Sequence, residues 1–200
     1  MNILIACEFS GIVRDAFLKR GHNAWSCDFL PTESEIRGFH YQCDIRDVDI
    51  TLFDLMIAFP PCTDLCVSGA RHFPEKRVDG RQQKAIDFFM FLVNAPIPKI
   101  AIENPVGIMS TVWRKPDQII QPYQFGHDAS KKTCLWLKNL TKLEPTGYVP
   151  GTMNDRGLTR WANQTASGQN NLAPSQTRGL DRSRTYRGIA DAMAEQWGIS

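Results

Sequence analysis

Four short apolar runs recur along the first half of the chain: Asn2-Ile3-Leu4-Ile5-Ala6-Cys7, Asn23 to Cys27, Phe53-Asp54-Leu55-Met56-Ile57 and Lys99-Ile100-Ala101-Ile102. Continuous apolar runs of this length mark strands buried on both faces, the habit of parallel sheets. Segments of helical period lie between them. After Ser10-Gly11 the apolar positions Ile12, Val13, Ala16 and Phe17 share one face and stop at Gly21, a natural C-cap. Arg81 to Asn94 carries Ala85, Ile86, Phe88, Phe89, Leu92 and Val93 on a broad helical face. Shorter strands are expected near Phe39 to Cys43 and at Leu135-Trp136-Leu137. Strand and helix alternating at this spacing predict an α/β fold with a doubly wound, mostly parallel sheet and right-handed crossovers. There is no internal repeat.

Two hundred residues, 42% hydrophobic and 22% charged, describe an ordinary globular protein long enough to bury a real core. The formal charge of +2 neither demands nor excludes a nucleic-acid partner, so any basic surface must arise from local clustering. No stretch reaches the ~18 apolar residues of a membrane span, and the N-terminus lacks the pattern of a secretory signal. The expectation is an intracellular, cytoplasmic protein with no membrane partner. Six cysteines (Cys7, Cys27, Cys43, Cys62, Cys66 and Cys134) lie in apolar segments without a framework pattern and are expected to be reduced. Cys62 and Cys66 have no second Cys or His pair at zinc spacing, so no metal is expected.

Composition shifts after residue 150. Between Gly151 and Arg187 the chain is rich in Asn, Gln, Ser, Thr and Gly and holds six arginines against two aspartates. This stretch is expected to be a flexible loop or a surface that orders on a polyanion. Ile189, Ala192, Met193 and Trp197 then recur at helical spacing and should fold back on the sheet. The organisation expected is a main domain over 1–150, a polar Arg-rich region over 151–187 and a C-terminal helix over 188–200.

Three unusual sequences fall at strand ends, where open α/β sheets bind their ligands. The first, Cys7-Glu8-Phe9-Ser10-Gly11, opens a helix; it is either an ordinary tight turn or a cradle for a nucleotide-like ligand. Asp28 and Asp44 close the next two strands, positions suited either to capping or to accepting hydrogen bonds from ribose and base. The second is Pro60-Pro61-Cys62. Neither proline can donate a ladder hydrogen bond, so the strand stops and the cysteine stands on a stiff loop at its end. A free thiol has a pKa of about 8.5, so a nucleophilic Cys62 needs electropositive help. The third is Ile102-Glu103-Asn104-Pro105. Neighbouring strands lie ~4.8 Å apart, so Cys62 and Glu103 can flank one small planar substrate. A glutamate closing an apolar strand is either paired structurally or functional.

Phe9-Ser10-Gly11, Asp28, Asp44-Ile45, Pro60-Pro61-Cys62 and Glu103-Asn104-Pro105, in this order and spacing, resemble the S-adenosylmethionine-dependent DNA cytosine C5-methyltransferases. The resemblance spans roughly residues 2 to 137. It implies the Rossmann-like class I methyltransferase fold and S-adenosylmethionine as cofactor. Phe9, Ser10, Gly11 and Ile12 would form the methionine-side cradle, with Asp28 on the ribose, Asp44 and Ile45 on the adenine, and Pro60 lining the same site. Cys62 would add to C6 of cytosine, Glu103 would bond its N3 edge, and the base would be flipped out of DNA to reach them.

The chain departs from that family in places. The family's Gln-x-Arg-x-Arg motif is matched only by Ser130-Lys131-Lys132-Thr133-Cys134, with Lys132 the first choice for the arginine's part and Lys131 the second. A lysine offers a point charge where arginine offers a planar fork. The family's Asn-bearing motif near the C-terminus is replaced by Arg187-Gly188-Ile189-Ala190-Asp191, and its large target-recognition domain by the polar stretch 151–187. The arginines there can bind phosphate with little sequence preference, and Trp161 is either a base-stacking platform or an anchor of the loop. Compact members of the family occur among bacteriophage genes, which this chain resembles; modification of phage DNA against host nucleases would follow. Rival expectations are a non-catalytic DNA-binding or decoy module on the same fold, and an enzyme acting on a free cytosine nucleotide or RNA.

Overall fold

The computed structural model describes residues 1–199. Seven strands form one sheet: β1 (Asn2–Ala6), β2 (Asn23–Cys27), β3 (His40–Tyr41), β4 (Leu55–Ala58), β5 (Lys99–Pro105), β6 (Gln118–Ile120) and β7 (Thr133–Lys138). Their order across the sheet is β3-β2-β1-β4-β5-β7-β6. The pairs among β1 to β5 are parallel, whereas β7 runs antiparallel to both β5 and β6. This is the doubly wound, mostly parallel sheet expected, in the strand order of the Rossmann-like methyltransferase fold. Among the described residues six α-helices accompany it: α1 (Ile12–Leu18), α2 (Phe73–Val78), α3 (Arg81–Val93), α4 (Met109–Val112), α5 (Arg178–Ser183) and α6 (Arg187–Trp197). The short α2, α4 and β6 carry too few apolar positions to show a period, and nothing in the sequence announces them.

Strand parity divides the core in two. Ile3, Ile5, Leu55, Ile57, Ala101 and Leu135 face α1 and α6 on one side of the sheet. Leu4, Ala6, Met56, Ala58, Ile100, Ile102 and Trp136 face α3 on the other. Successive strand side chains point to opposite faces, so a strand covered on both faces must be apolar at every position, as these runs are. Full burial of each large side chain contributes about 1.5–3 kcal/mol. The α6 face buries Ile189, Met193 and Trp197, and the Trp197 indole donates to the Thr141 carbonyl at 2.9 Å.

The turn into α1 is built around two buried ionisable groups. The Glu8 carboxylate accepts the N–H groups of Val13 at 2.7 Å and Arg14 at 3.3 Å, capping the first turn from below. Arg14 is completely buried and bonds Asp15, Ser26, Thr32 and the Ile36 and Phe39 carbonyls, tying the β2–β3 connection onto α1. Gly11 sits at φ +73, and a Cβ there would lie 2.7 Å from Cβ of Ser34, so both conformation and space require glycine.

The stretch 151–187, expected as a flexible loop or a polyanion-ordered surface, carries regular structure. β8 (Thr152–Met153) pairs antiparallel with β9 (Thr159–Arg160), and α5 follows. Of the two roles weighed for Trp161, the observed one is an anchor: it stacks on Tyr123 with centroids 4.3 Å apart and planes 9° apart, and its indole N–H donates to the Val149 carbonyl. Among the described residues, no helix is long and apolar enough to cross a membrane, and no cluster of three His, Cys, Asp or Glu side chains is placed to hold a metal ion.

Candidate active site

β4 and β5 pair in register, Ala58 opposite Ile102, so the chain leaves both strands at the same edge of the sheet. Pro60-Pro61 ends β4 there, and the Asn104 side-chain amide donates to the Pro60 carbonyl at 2.8 Å, fixing the proline turn to β5. Cys62 opens a helical turn, its carbonyl accepting Leu65 N–H at 3.0 Å and Cys66 N–H at 2.9 Å. The loop after it is held on both sides. Val67 N–H donates to the Val106 carbonyl and Ile108 N–H to the Leu65 carbonyl, while the buried Lys76 ammonium meets Asp64 at 3.0 Å and the Thr63 carbonyl. Gly107 permits this closeness, since a Cβ there would fall 2.4 Å from the Leu65 carbonyl oxygen.

The antiparallel run of β7 brings its first residues to the same edge. Glu103 pairs with Leu135, and Pro105 with Thr133. Residues 131, 133 and 135 share one parity and therefore one face, the face of Glu103. A narrow pocket results, lined by Phe59, Glu103, Lys131, Thr133, Tyr186 and Ile189 among others. Lys131, not Lys132, reaches it; Lys132 has the opposite parity and stands exposed. Of the two lysines considered, the favoured Lys132 is thus placed away from Glu103. Alternation along β7 carried back two residues is the sequence signal that distinguishes them.

Charge couples the three groups. Burial pushes the Cys62 thiol above its ordinary pKa, Cys66 and Glu103 add to the rise, and the Lys131 ammonium opposes it. Burial likewise raises Glu103, against the Lys131 charge and the Thr133 hydroxyl. Near neutrality the pocket therefore favours a neutral thiol and holds its carboxyl closer to the protonated form than an exposed glutamate.

The other expected residues gather at the ends of β1 to β3. Cys7, at φ 58 in the left-handed region, turns the chain out of β1. Burial raises its pKa, and the charges of Asp28 and Asp44 add to the rise, so both acids stand near the end of β1. Asp28 accepts Leu30 N–H on Oδ1 at 2.9 Å. Asp44 caps the turn at Ile45–Asp47 and is engaged on both oxygens by the Arg46 guanidinium; Ile45 is buried beneath. Phe29, next to Asp28, is 70% exposed, an apolar ring left at the same edge. Its signal in the sequence is a bulky aromatic directly after a strand-end acid. Phe9, Ser10 and Pro60 are buried in the turns and Ile12 is half-buried. Arg184 lies 5.6 Å over the Phe9 ring and grips Glu33 through two hydrogen bonds of 2.8 and 2.6 Å and Asp181 through one of 2.6 Å, so the chain between α5 and α6 roofs this turn.

The arrangement offers a carboxyl with raised pKa and an ammonium in one small pocket, with a thiol that feels both charges, on the same sheet edge as a glycine turn flanked by strand-end acids. No family model matches the chain, and no curated protein matches it. Among solved structures it is similar to the Entamoeba histolytica methyltransferase EhMeth, with 13% identity and a TM-score of 0.49 over 75% of this chain and 58% of that one. The chain thus spans a little over half the length of that structure, and the order and direction of its own seven strands carry the fold.

Proposed function

We propose that the protein transfers a methyl group from S-adenosylmethionine to C5 of cytosine in DNA through a covalent adduct on Cys62. The observation that supports this reading most is that Cys62, past the end of β4, stands within electrostatic reach of Glu103 and Lys131, which line one pocket from β5 and from the segment leading into β7. The residues beside it fit the cofactor. Asp28 has a carboxylate oxygen to spare for a ribose hydroxyl, and the exposed Phe29 ring offers a stacking face for adenine. S-adenosylmethionine supplies an electrophilic methyl group.

Within this reading the chain's own groups do the rest. The Cys62 thiolate forms a bond to C6 while Glu103 gives its proton to N3, so the electron pair released by the C5–C6 double bond is drawn into the ring and C5 becomes nucleophilic. The raised pKa of Glu103 favours the acid form that this donation needs. Lys131 favours the thiolate electrostatically. After methyl transfer, water takes the C5 proton, the pair left behind re-forms the C5–C6 double bond as the C6–S bond breaks and Cys62 leaves as thiolate, and N3 returns its proton to the Glu103 carboxylate.

DNA from cells expressing the chain, digested and analysed by mass spectrometry, should contain 5-methylcytosine, and Cys62→Ala should abolish it. With 5-fluorocytosine in the DNA the wild type should form an adduct that survives denaturation. Unmodified DNA and no adduct with folded, cofactor-supplied protein would overturn the reading.

A further inference from the structure

The polar stretch after β7 holds the segment leading into β7 through Asn163. Its Oδ1 accepts the Ser130 N–H at 2.9 Å and its Nδ2 donates to the Ser130 carbonyl at 3.0 Å. One side-chain amide that satisfies both backbone groups of a residue replaces a strand partner and fixes the planes of both adjoining peptides. The next residue is Lys131, whose N–H is held by the Gln121 side-chain oxygen at 2.9 Å and whose ammonium donates to the Arg182 carbonyl at 2.9 Å. The Asn163 amide also lies beside the Tyr186 phenol. Burial raises that phenol's pKa and Asn163 opposes the rise. Both Lys131 and Tyr186 line the Glu103 pocket.

Asn163 is itself held from both flanks. Trp161, two residues before it, is stacked on Tyr123, and Ala162 N–H donates to Asp128 at 3.0 Å. On the other side Asn171 donates through its backbone to the Asn163 carbonyl at 3.0 Å and through its side chain to the Ala162 carbonyl at 2.7 Å. A rotamer fixed in this way transmits the position of its own backbone to its partners rather than adapting to them.

We propose that Asn163 is a positioning residue: it sets the Ser130 backbone, and through it Lys131 together with Tyr186, at the Glu103 pocket, from which the Lys131 charge acts on Cys62. The segment containing β8 and β9 thereby shapes the reaction pocket from behind, in addition to any contact it makes with substrate. The inference rests on the reading of Cys62 as the nucleophile, and its test follows the thiol rather than turnover.

In the whole chain, Asn163→Ala, Lys131→Met and the double variant would be compared for the rate at which iodoacetamide alkylates Cys62 at mildly alkaline pH, resolved from the other cysteines by peptide mass spectrometry. Lys131 favours the thiolate, so its displacement slows alkylation. A drop of roughly threefold, half a pKa unit in thiolate fraction, is expected in Asn163→Ala. Lys131→Met should slow alkylation at least as much, and the double variant no further than Lys131→Met alone. Amide exchange at Ser130 should accelerate in Asn163→Ala; if that variant does not fold, Asn163→Ser serves in its place. Unchanged or faster alkylation in a folded Asn163 variant, or effects of the two substitutions that multiply, would overturn the proposal. If the wild type transfers no methyl group while alkylation follows this pattern, the proposed function fails and the positioning role stands. If methyl transfer occurs while alkylation is indifferent to Asn163, the function stands and the positioning role fails.

Discussion

Glu103 and Cys62 ask opposite things of pH. In the proposed reaction, bond formation to C6 needs Cys62 without its proton and Glu103 with one, yet both pKa values are raised from their ordinary levels, with burial the first cause in each case. Below the Glu103 pKa the acid is already protonated, and kcat/KM should climb with the thiolate fraction, tenfold per pH unit. Between the two pKa values the gain in thiolate is cancelled by the loss of acid, giving a plateau, and above the Cys62 pKa the rate should fall. The acid limb should therefore end above the usual carboxylate range. Glu103→Gln should lower kcat about 10²–10⁴-fold and remove the plateau, leaving a rate that rises up to the Cys62 pKa. A mutant profile that keeps the wild-type plateau would exclude Glu103 as the acid. Lys131 belongs to the same balance. Its charge opposes both shifts, so Lys131→Met should move the alkaline limb further up.

At the scale of elements, the pocket depends on two loops meeting at Gly107. Alanine there places a carbon against the Leu65 carbonyl oxygen, backbone against backbone, where no rotamer change relieves the clash. The strain expected is about 1–3 kcal/mol. It falls on the hydrogen bonds that join residues 65–67 to 106–108 and so moves Cys62 relative to Glu103. Gly107→Ala should reduce kcat more than tenfold while cofactor affinity, which the proposed function assigns to the ends of β1 and β2 on the other side of β4, stays within twofold; isothermal titration with S-adenosylhomocysteine separates the two. Strand parity carries the rest of this scale. Short apolar runs marked β1, β4 and β5, and the acids, the proline turn and Glu103 stood visibly at strand ends. The same rule applied along β7 picks Lys131 over Lys132, but only once β7 is known to run antiparallel to β5 with Glu103 opposite Leu135. Direction is a property of the assembled sheet, and a six-residue strand looks the same either way.

For the molecule as a whole, the buried Glu8 carboxyl links stability to pH. Desolvation raises its pKa to about 7 against helix-cap hydrogen bonds from Val13 and Arg14 that pull it down. A group whose pKa is higher folded than unfolded contributes stability that is complete below its unfolded value and is lost as pH rises through the folded one. Glu8 should therefore weaken the fold between about pH 4.5 and 7, by a quantity on the order of 3 kcal/mol. Urea titrations across this window should show the decline in the wild type and a flatter profile in Glu8→Gln; an identical slope in both would place the linkage elsewhere.

Burial periodicity is local, and the physics that makes a two-sided strand apolar throughout or an amphipathic helix repeat every 3.6 residues is written within each segment. The doubly wound sheet, the C-terminal helix and the strand-end placement of Cys62 and Glu103 are therefore legible in the chain alone. The ordered state of residues 151–187 was not, because its stability comes from contacts across the chain: Trp161 on Tyr123, Asn163 on Ser130, Arg184 on Glu33. Each of these joins residues 33 to 151 positions apart, and polar side chains of this kind carry no period that announces their partner. Which lysine meets Glu103, which aromatic is left exposed beside Asp28 and what holds the pocket from behind were settled by strand direction and chain crossing, both of which exist only after folding.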